Sequence, residues 1–178
     1  MSTPTLDGDG ILLSLDEIGQ LVSRRTLPSE TLGQLVQVIQ RRYQVDVCSV
    51  YLLEPNRSHL VLAATMGLRP EGVGRVRMAL KEGLAGLVAE QMRPIMVEDA
   101  DKHPRFKYFP ETGEELFRSF LGVPLVERGV LQGVLVVQTV DIRLFSTTEV
   151  QTLIDTASHI ASLVGELRAQ EQISTPVY

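Results

Sequence analysis

Only one cysteine, Cys48, occurs in the 178 residues of the sequence. A single thiol cannot form an internal disulfide, so no disulfide framework is expected. Long apolar runs are also missing, because stretches such as residues 60–64 fall far short of the roughly 20 residues that a membrane-spanning helix needs. Residues 1–10 have neither a positive segment nor an apolar one, so a signal peptide is not expected. These absences predict a cytoplasmic protein with no membrane contact.

Basic charge is also scarce. Lys and Arg total 17 against 22 Asp and Glu, which gives a formal net charge of −5. Without a basic run there is no electrostatic footprint for nucleic acid, so no such partner is expected. Hydrophobic residues make up 44% and charged residues 22%, which is typical of a globular chain of one domain and not of a disordered one.

Sequence patterns for metal, cofactor or nucleophilic chemistry are weak. His59, His103 and His159 are far apart, and none has a second ligand three or four residues away, so no metal site is expected. Residues 72–77 begin like a dinucleotide-binding fingerprint. They lead into a predicted strand, however, and not into the helix that would bind the phosphate. Neither a phosphate-binding loop nor a G-x-S-x-G elbow is present, so no catalytic residue and no cofactor is predicted.

Helical periodicity marks the amino-terminal part of the chain. Ser14 and Glu17 form an S-x-x-E capping box at the start of a predicted helix over about residues 12–25. A second helix is predicted over about residues 28–43, with apolar residues three and four apart. Residues 1–10 are expected to be a flexible lead-in, with the domain proper covering residues 11–169.

A second capping box, Ser146 and Glu149, begins a long amphipathic helix that is predicted to end near Ala169. Residues 170–178 are then expected to be a tail or linker. The apolar stripe of this helix spans nearly five turns, from Val150 to Leu167, so part of it is expected to cover the sheet. The remainder can meet the first helix of a second copy, which predicts a homodimer through the terminal helices.

Strands fill the middle of the sequence, with one short helix predicted over residues 83–92. The predicted strands cover residues 45–53, 59–66, 75–80, 94–97, 117–126 and 130–139. Short turns between several of them indicate antiparallel pairing. The predicted fold class is therefore α+β, an antiparallel sheet of about six strands with the N- and C-terminal helices packed on one face. Pro124 has no amide donor and predicts an edge or a bulge, whereas Cys48 is expected to be a core residue.

A long polar connector, residues 98–115, interrupts this pattern. Connectors of this length in compact domains are usually functional or mobile, and Thr112 and Glu115 could cap a helical turn within it. Four of the five Phe and one of the four Tyr residues fall within residues 106–120. Aromatic walls with a few polar groups predict a small-molecule pocket. The alternative is that these rings only anchor the connector to the sheet.

The order of elements resembles a GAF domain over about residues 12–167. The family's general signature fits residues 83–86 (GLAG) and 119–125 (SFLGVPL). A narrower likeness extends over residues 83–90, 99–108, 114–124 and 133–138. These segments are similar to the N-terminal GAF domain of the nitrogen-related phosphoenolpyruvate-protein phosphotransferases. The GAF proteins that reduce methionine sulfoxide need several cysteines, so that branch is not expected.

This resemblance implies a regulatory domain that senses glutamine or 2-oxoglutarate and is not itself catalytic. The phosphohistidine and phosphoenolpyruvate-binding domains of the parent enzyme would be its partners, and 178 residues do not hold them. A carboxylate effector would favour Arg118 or Lys107 as its charge partner, or the helix start at Gly83. The alternative is a dimerisation or interaction GAF module of another bacterial signalling protein, without a bound ligand. The predicted ligand-binding residues are Met78, Leu84, Leu87, His103, Phe106, Lys107, Phe109, Phe117, Arg118, Ser119 and Leu121.

Overall fold

The computed structural model describes residues 28–112 and 117–174. The predicted helix over residues 12–25, the lead-in and the proposed capping residue Glu115 lie outside the described residues. Within them the chain forms three α-helices and six strands. In chain order these are α1 (Pro28–Tyr43), β1 (Val47–Leu53), β2 (His59–Met66), β3 (Arg77–Ala79), α2 (Gly83–Gln91), β4 (Ile95–Val97), β5 (Ser119–Glu127), β6 (Val130–Thr139) and α3 (Thr147–Ser174).

All six strands join one antiparallel sheet in the order β3-β2-β1-β6-β5-β4. The predicted α+β class is therefore confirmed. Pro124 lies in β5 opposite Val134, and the pairing of β5 with β4 ends at Gly122. The side of β5 next to Pro124 is thus a local edge, where a missing amide costs no ladder hydrogen bond. The register also shifts between Leu125 and Val126, beside the predicted position.

The two faces of the sheet form two separate hydrophobic clusters. On each strand, every second side chain points to the same face of the sheet, and those on the first face, such as Val50 and Leu135, pack with α1 and α3. The side chains between them, such as Tyr51 and Val134, point to the other face and pack with α2 and part of the connector. This follows from the period of two along a strand, which sends neighbouring side chains to opposite faces. The terminal helices of the described chain therefore share one face, as predicted, and α2 covers the other.

The start of α3 is fixed by the predicted capping box. The Glu149 amide donates to Ser146 Oγ at 3.1 Å, and the Ser146 amide donates to Glu149 Oε1 at 3.0 Å. The helix then runs to Ser174, beyond the predicted end near Ala169. In the part of the chain that the structure describes, no helix combines the length and apolar character needed to cross a membrane.

Candidate functional site

A small cavity lies between the sheet and α2, beneath residues 98–112, which we call the strap. Its walls come from β1, β3, β5, β6, the first turn of α2 and the strap itself. The enclosed volume is about 10 Å³. That is close to the minimum for one water molecule, so an organic ligand enters only after the strap or the side chains beneath it have moved.

The first turn of α2 forms one end of the cavity. Gly83, Leu84 and Ala85 line it, and the amide groups of a first helical turn have no acceptor within the helix. The positive end of the helix dipole therefore points towards this end of the cavity. Gly83 has a φ of +67°, in the left-handed region that favours glycine, and an added Cβ would lie 3.5 Å from Met78 Sδ.

Two cationic side chains hold the middle of the strap against α2. Lys107 Nζ lies 2.9 Å from Glu82 Oε2, immediately before α2, and 5.1 Å from the centre of the Phe109 ring. The hydrogen bond from Lys107 lowers the pKa of the Glu82 carboxyl below its ordinary value. Arg105 donates to Glu90 Oε2 and to the Leu80 carbonyl, each at 3.2 Å. These polar contacts of the strap are partly exposed and cost little to break.

Backbone hydrogen bonds fix the two ends of the strap to the sheet and its neighbouring loop. The Ala100 amide donates to the Arg118 carbonyl at 2.6 Å. At the other end, the Arg69 amide donates to the Thr112 carbonyl at 3.3 Å. Thr112 Oγ1 itself donates to the Phe109 carbonyl at 2.8 Å. The strap is therefore held at its ends by backbone bonds and in its middle by side chains.

Five of the residues that the sequence predicted for a ligand site line this cavity. They are Met78, Leu84, Phe106, Lys107 and Phe109. Met78 and Leu84 come from the sheet and from α2, whereas the other three come from the strap. The two aromatic rings of the strap thus lie over the cavity and also anchor the strap to the hydrophobic cluster between the sheet and α2. The pocket interpretation and the anchoring interpretation describe the same side chains.

Ser119 and Leu121 do not line the cavity. Leu121 belongs to the cluster under α1 and α3, because it has the opposite parity in β5 from Phe120. Ser119 is buried, and its hydroxyl donates to the Glu98 carbonyl and accepts from the Arg143 amide. Both residues therefore have packing or hydrogen-bonding roles elsewhere in the sheet.

The other four predicted residues also lie away from the cavity. Arg118 is exposed, and Leu87 is buried within α2. His103 Nδ1 accepts from the Arg105 amide at 3.0 Å, which shapes the strap. Phe117 is half-buried against the cluster that also contains Phe120. Of the two cations that the sequence proposed as charge partners, Lys107 lines the cavity and Arg118 does not.

Three buried strand residues line the cavity that the sequence did not predict, namely Tyr51, Phe120 and Gln138. Gln138 carried the clearest signal, because it is a polar residue in the apolar run of β6 and is only 2% exposed. A buried amide normally has a specific role, since leaving it unsatisfied is costly. Adjacent residues of β5 point to opposite faces, and this alternation would have selected Phe120 in place of Leu121 as a cavity residue.

The lining supplies groups for binding. Of the described residues that line the cavity, Lys107 provides a cation, Gln138 an amide and Tyr51 a phenol. Cys48 is fully buried on the opposite face of the sheet. Burial raises the pKa of its thiol, so the group stays protonated and unreactive. Among the residues that the structure describes, no three His, Cys, Asp or Glu side chains come together as metal ligands.

Comparison with known proteins gives a consistent result. A family model described as "GAF domain" matches residues 26–164. A phosphoenolpyruvate-dependent phosphotransferase system protein of Escherichia coli is 40% identical over 156 residues, which cover 88% of this chain and 21% of that protein. The chain thus spans about a fifth of the length of this curated relative.

Two solved structures are similar along nearly their whole length. One is the GAF domain of a phosphoenolpyruvate-protein phosphotransferase from Coxiella burnetii, with 35% identity and a TM-score of 0.80 over 89% of this chain and 94% of that one. The other is the GAF domain of an Acinetobacter phosphoenolpyruvate-protein phosphotransferase. It has 32% identity and a TM-score of 0.80 over 97% of this chain and 99% of that one.

Proposed function

The chain belongs to the GAF domain family, and on that premise we propose that it is the small-molecule-sensing regulatory domain of a phosphoenolpyruvate-protein phosphotransferase. The observation that carries this proposal is the cavity beneath the strap. Its lining combines apolar and aromatic walls with one cation and one buried amide, which is the usual composition of a metabolite site. The domain would be non-catalytic and cytoplasmic, and would act in nitrogen signalling.

The effector we propose is glutamine or 2-oxoglutarate. A carboxylate would lie at the first turn of α2, where the free amides and Lys107 both favour negative charge. The rest of the molecule would extend towards Gln138, which can pair with an amide or a second carboxylate. The closed cavity holds neither compound, so binding would displace the strap. Displacement of the strap would then be the signal.

Calorimetry and thermal shift with each compound at millimolar concentration test this function. We expect heat and a raised melting temperature with at least one of them, and a loss of both effects in Gln138→Leu. Arg118→Met is the matched control, because Arg118 is a cation of the same region that does not line the cavity. The proposal fails if the wild-type protein responds to neither compound, or if the control abolishes the response and Gln138→Leu does not.

The parent protein would carry its catalytic domains outside this sequence. The matched region is 21% of the Escherichia coli relative, which leaves room for them. We propose that residues 11–169 form the sensing domain and that residues 170–178 lead to the next part of the chain. The open reading frame tests this directly, because a frame without phosphotransferase domains would contradict it.

A second candidate is an interaction module that dimerises through its terminal helices without a ligand. The length of α3 favours it, because the helix runs to Ser174 beyond Val164, its last fully buried described side chain. Light scattering on Leu167→Glu should then show a halved mass, since Leu167 is only half-buried within the single chain. Ser158→Glu, an exposed change on the same helix, is the control. An unchanged mass in Leu167→Glu would exclude this surface.

A further inference from the structure

Ser119, the first residue of β5, links the strap to the segment that precedes α3. Its hydroxyl group donates to the carbonyl of Glu98, the first residue of the strap, at 2.8 Å. The same oxygen accepts from the Arg143 amide at 2.7 Å. The Ser119 side chain is fully buried, so solvent does not compete for either hydrogen bond. One buried hydroxyl group therefore holds together two segments that are far apart in the chain.

Arg143 continues this connection to the two helices on the other face of the sheet. Its guanidinium donates to the carbonyls of Tyr43, the last residue of α1, and of Gln44. It also pairs with Glu149 in the first turn of α3. Glu149 is at the same time the residue that accepts from the Ser146 amide in the capping box. The strap is thereby joined, through two residues, to the place where α1 ends and α3 begins.

A backbone connection runs beside this side-chain connection. The Ala100 amide of the strap donates to the Arg118 carbonyl at 2.6 Å, and the Arg118 amide donates to the Thr139 carbonyl at 2.8 Å. Thr139 Oγ1 in turn donates to the Asp141 carbonyl at 2.6 Å. The start of the strap, the end of β6 and the segment before α3 therefore form one hydrogen-bonded unit.

We propose that Ser119 is the positioning residue through which displacement of the strap reaches the start of α3. A hydroxyl group has one proton, and while its oxygen accepts from the Arg143 amide that proton is directed at Glu98. If Glu98 moves away, a buried donor loses its acceptor, which is costly. The hydroxyl group then has to turn or follow the strap, and either change alters its bond with Arg143. The inference rests on the proposed function for what displaces the strap, whereas the connection itself needs no ligand.

Hydrogen exchange in a set of single and double variants tests this connection without a ligand. Arg143→Met removes the guanidinium but keeps an unbranched apolar side chain beside the Phe145 ring, and exchange is measured at residues 98–103, the start of the strap. The amides of β1 are the reference for global unfolding, so a lower stability alone does not mimic the effect. Ser49→Ala is the matched control, because Ser49 is an equally buried strand serine whose hydroxyl pairs with Thr65.

We expect Arg143→Met to accelerate exchange of residues 98–103 about tenfold relative to β1. In the Ser119→Ala background the same substitution should have no further effect, because the connection is already broken, whereas in the Ser49→Ala background the acceleration should remain. Ser119→Thr keeps a hydroxyl group in a residue that suits a strand and should restore the response. An equal acceleration with and without the Ser119 hydroxyl would overturn the proposal, and so would the absence of any acceleration by Arg143→Met alone.

Failure of this proposal can be told apart from failure of the proposed function. The exchange measurement gives its result even for a protein that shows no calorimetric response to glutamine or 2-oxoglutarate. A protein that binds one of these compounds can likewise lack the connection through Ser119. If Ser119→Ala does not fold, Ser119→Cys takes its place, because a thiol is only a weak donor, and the same two results decide the question.

Discussion

Lys107 Nζ lies 2.9 Å from Glu82 Oε2, and this contact joins the middle of the strap to the residue before α2. Because both side chains are partly exposed, Glu82→Gln should change the free energy of unfolding by no more than about 1 kcal/mol. Local opening of the strap should nevertheless increase, and hydrogen exchange of residues 98–112 should become faster. Glu54→Gln, which removes the exposed pair with Arg77, is the control and should leave the strap unchanged. Equal exchange in the two variants would contradict a closing role for Lys107.

The same contact predicts a pH dependence for the strap. The hydrogen bond from Lys107 lowers the pKa of Glu82 below its ordinary value of 4.5. Its contribution is therefore fully present above pH 4.5 and is lost as the pH falls through the lowered value. Carboxyl NMR should show a depressed midpoint for Glu82 that returns towards 4.5 in Lys107→Met. The midpoint of Glu54, which Arg77 lowers, should not move in that variant.

Two glycines should respond in opposite directions to alanine. A Cβ on Gly122 would lie 2.7 Å from Val88 Cγ2 and 2.8 Å from the Phe120 ring, so Gly122→Ala should destabilise the fold by about 1–3 kcal/mol. Gly33 lies within α1 with nothing inside 4 Å, so Gly33→Ala should stabilise it by about 0.5–1 kcal/mol. Urea unfolding measures both variants. A stabilising Gly122→Ala would show that α2 packs less tightly on the sheet than described, and a destabilising Gly33→Ala would contradict the open space at that position.

Replacement of Arg143 should destabilise the fold more than replacement of most other residues near the surface. Its guanidinium donates to the Tyr43 and Gln44 carbonyls and to Glu149, and lies 4.8 Å from the centre of the Phe145 ring. We expect Arg143→Ala to cost about 2–3 kcal/mol, because hydrogen bonds to charged groups are the stronger ones. Lysine should not restore the loss, since it has no planar fork.

The control for this variant is Arg75→Ala, an exposed arginine at which we expect a negligible change in urea unfolding. A full rescue by Arg143→Lys would show that charge alone is needed at this position. The forked contacts to two carbonyls and a carboxylate would then be unimportant for stability.

The thiol of Cys48 should report on global unfolding. The residue is fully buried in the cluster under α1 and α3, and burial raises the pKa of the thiol. Reaction with an aromatic disulfide reagent should therefore be slow in the native protein and should follow the urea transition. Val130→Cys provides the exposed comparison and should react at once. Rapid native labelling of Cys48 would contradict the packing of this face.

Several local features could be predicted from the sequence because they depend on neighbouring residues. The Ser146–Glu149 capping box is one, since its two hydrogen bonds join residues only three apart. The bounds of α1, β2 and β6 are others, because a clear apolar period ends there in turn residues. The break in pairing beside Pro124 is also predictable, because the missing amide is a property of that one residue.

The cavity lining was predicted less well, because it depends on which side chains of each strand point towards the cavity. Leu121 and Phe120 are both apolar and adjacent, and a shift of one residue reverses their directions. Tyr51 and Gln138 reach the cavity only because β1 and β6 pair in the centre of the sheet, a long-range relationship without a local signal. The reach of Lys107 to Glu82, across 25 positions of the chain, is likewise set by the fold.

Both outermost strands of the sheet, β3 and β4, are only three residues long. Such short edges offer few unpaired backbone groups to an incoming strand, so they protect the domain from edge-to-edge aggregation. Two copies of the domain at high local concentration would therefore have little strand edge through which to fuse their sheets. Any lasting contact between such copies would have to use side chains, and side-chain contacts can be tuned or released one residue at a time.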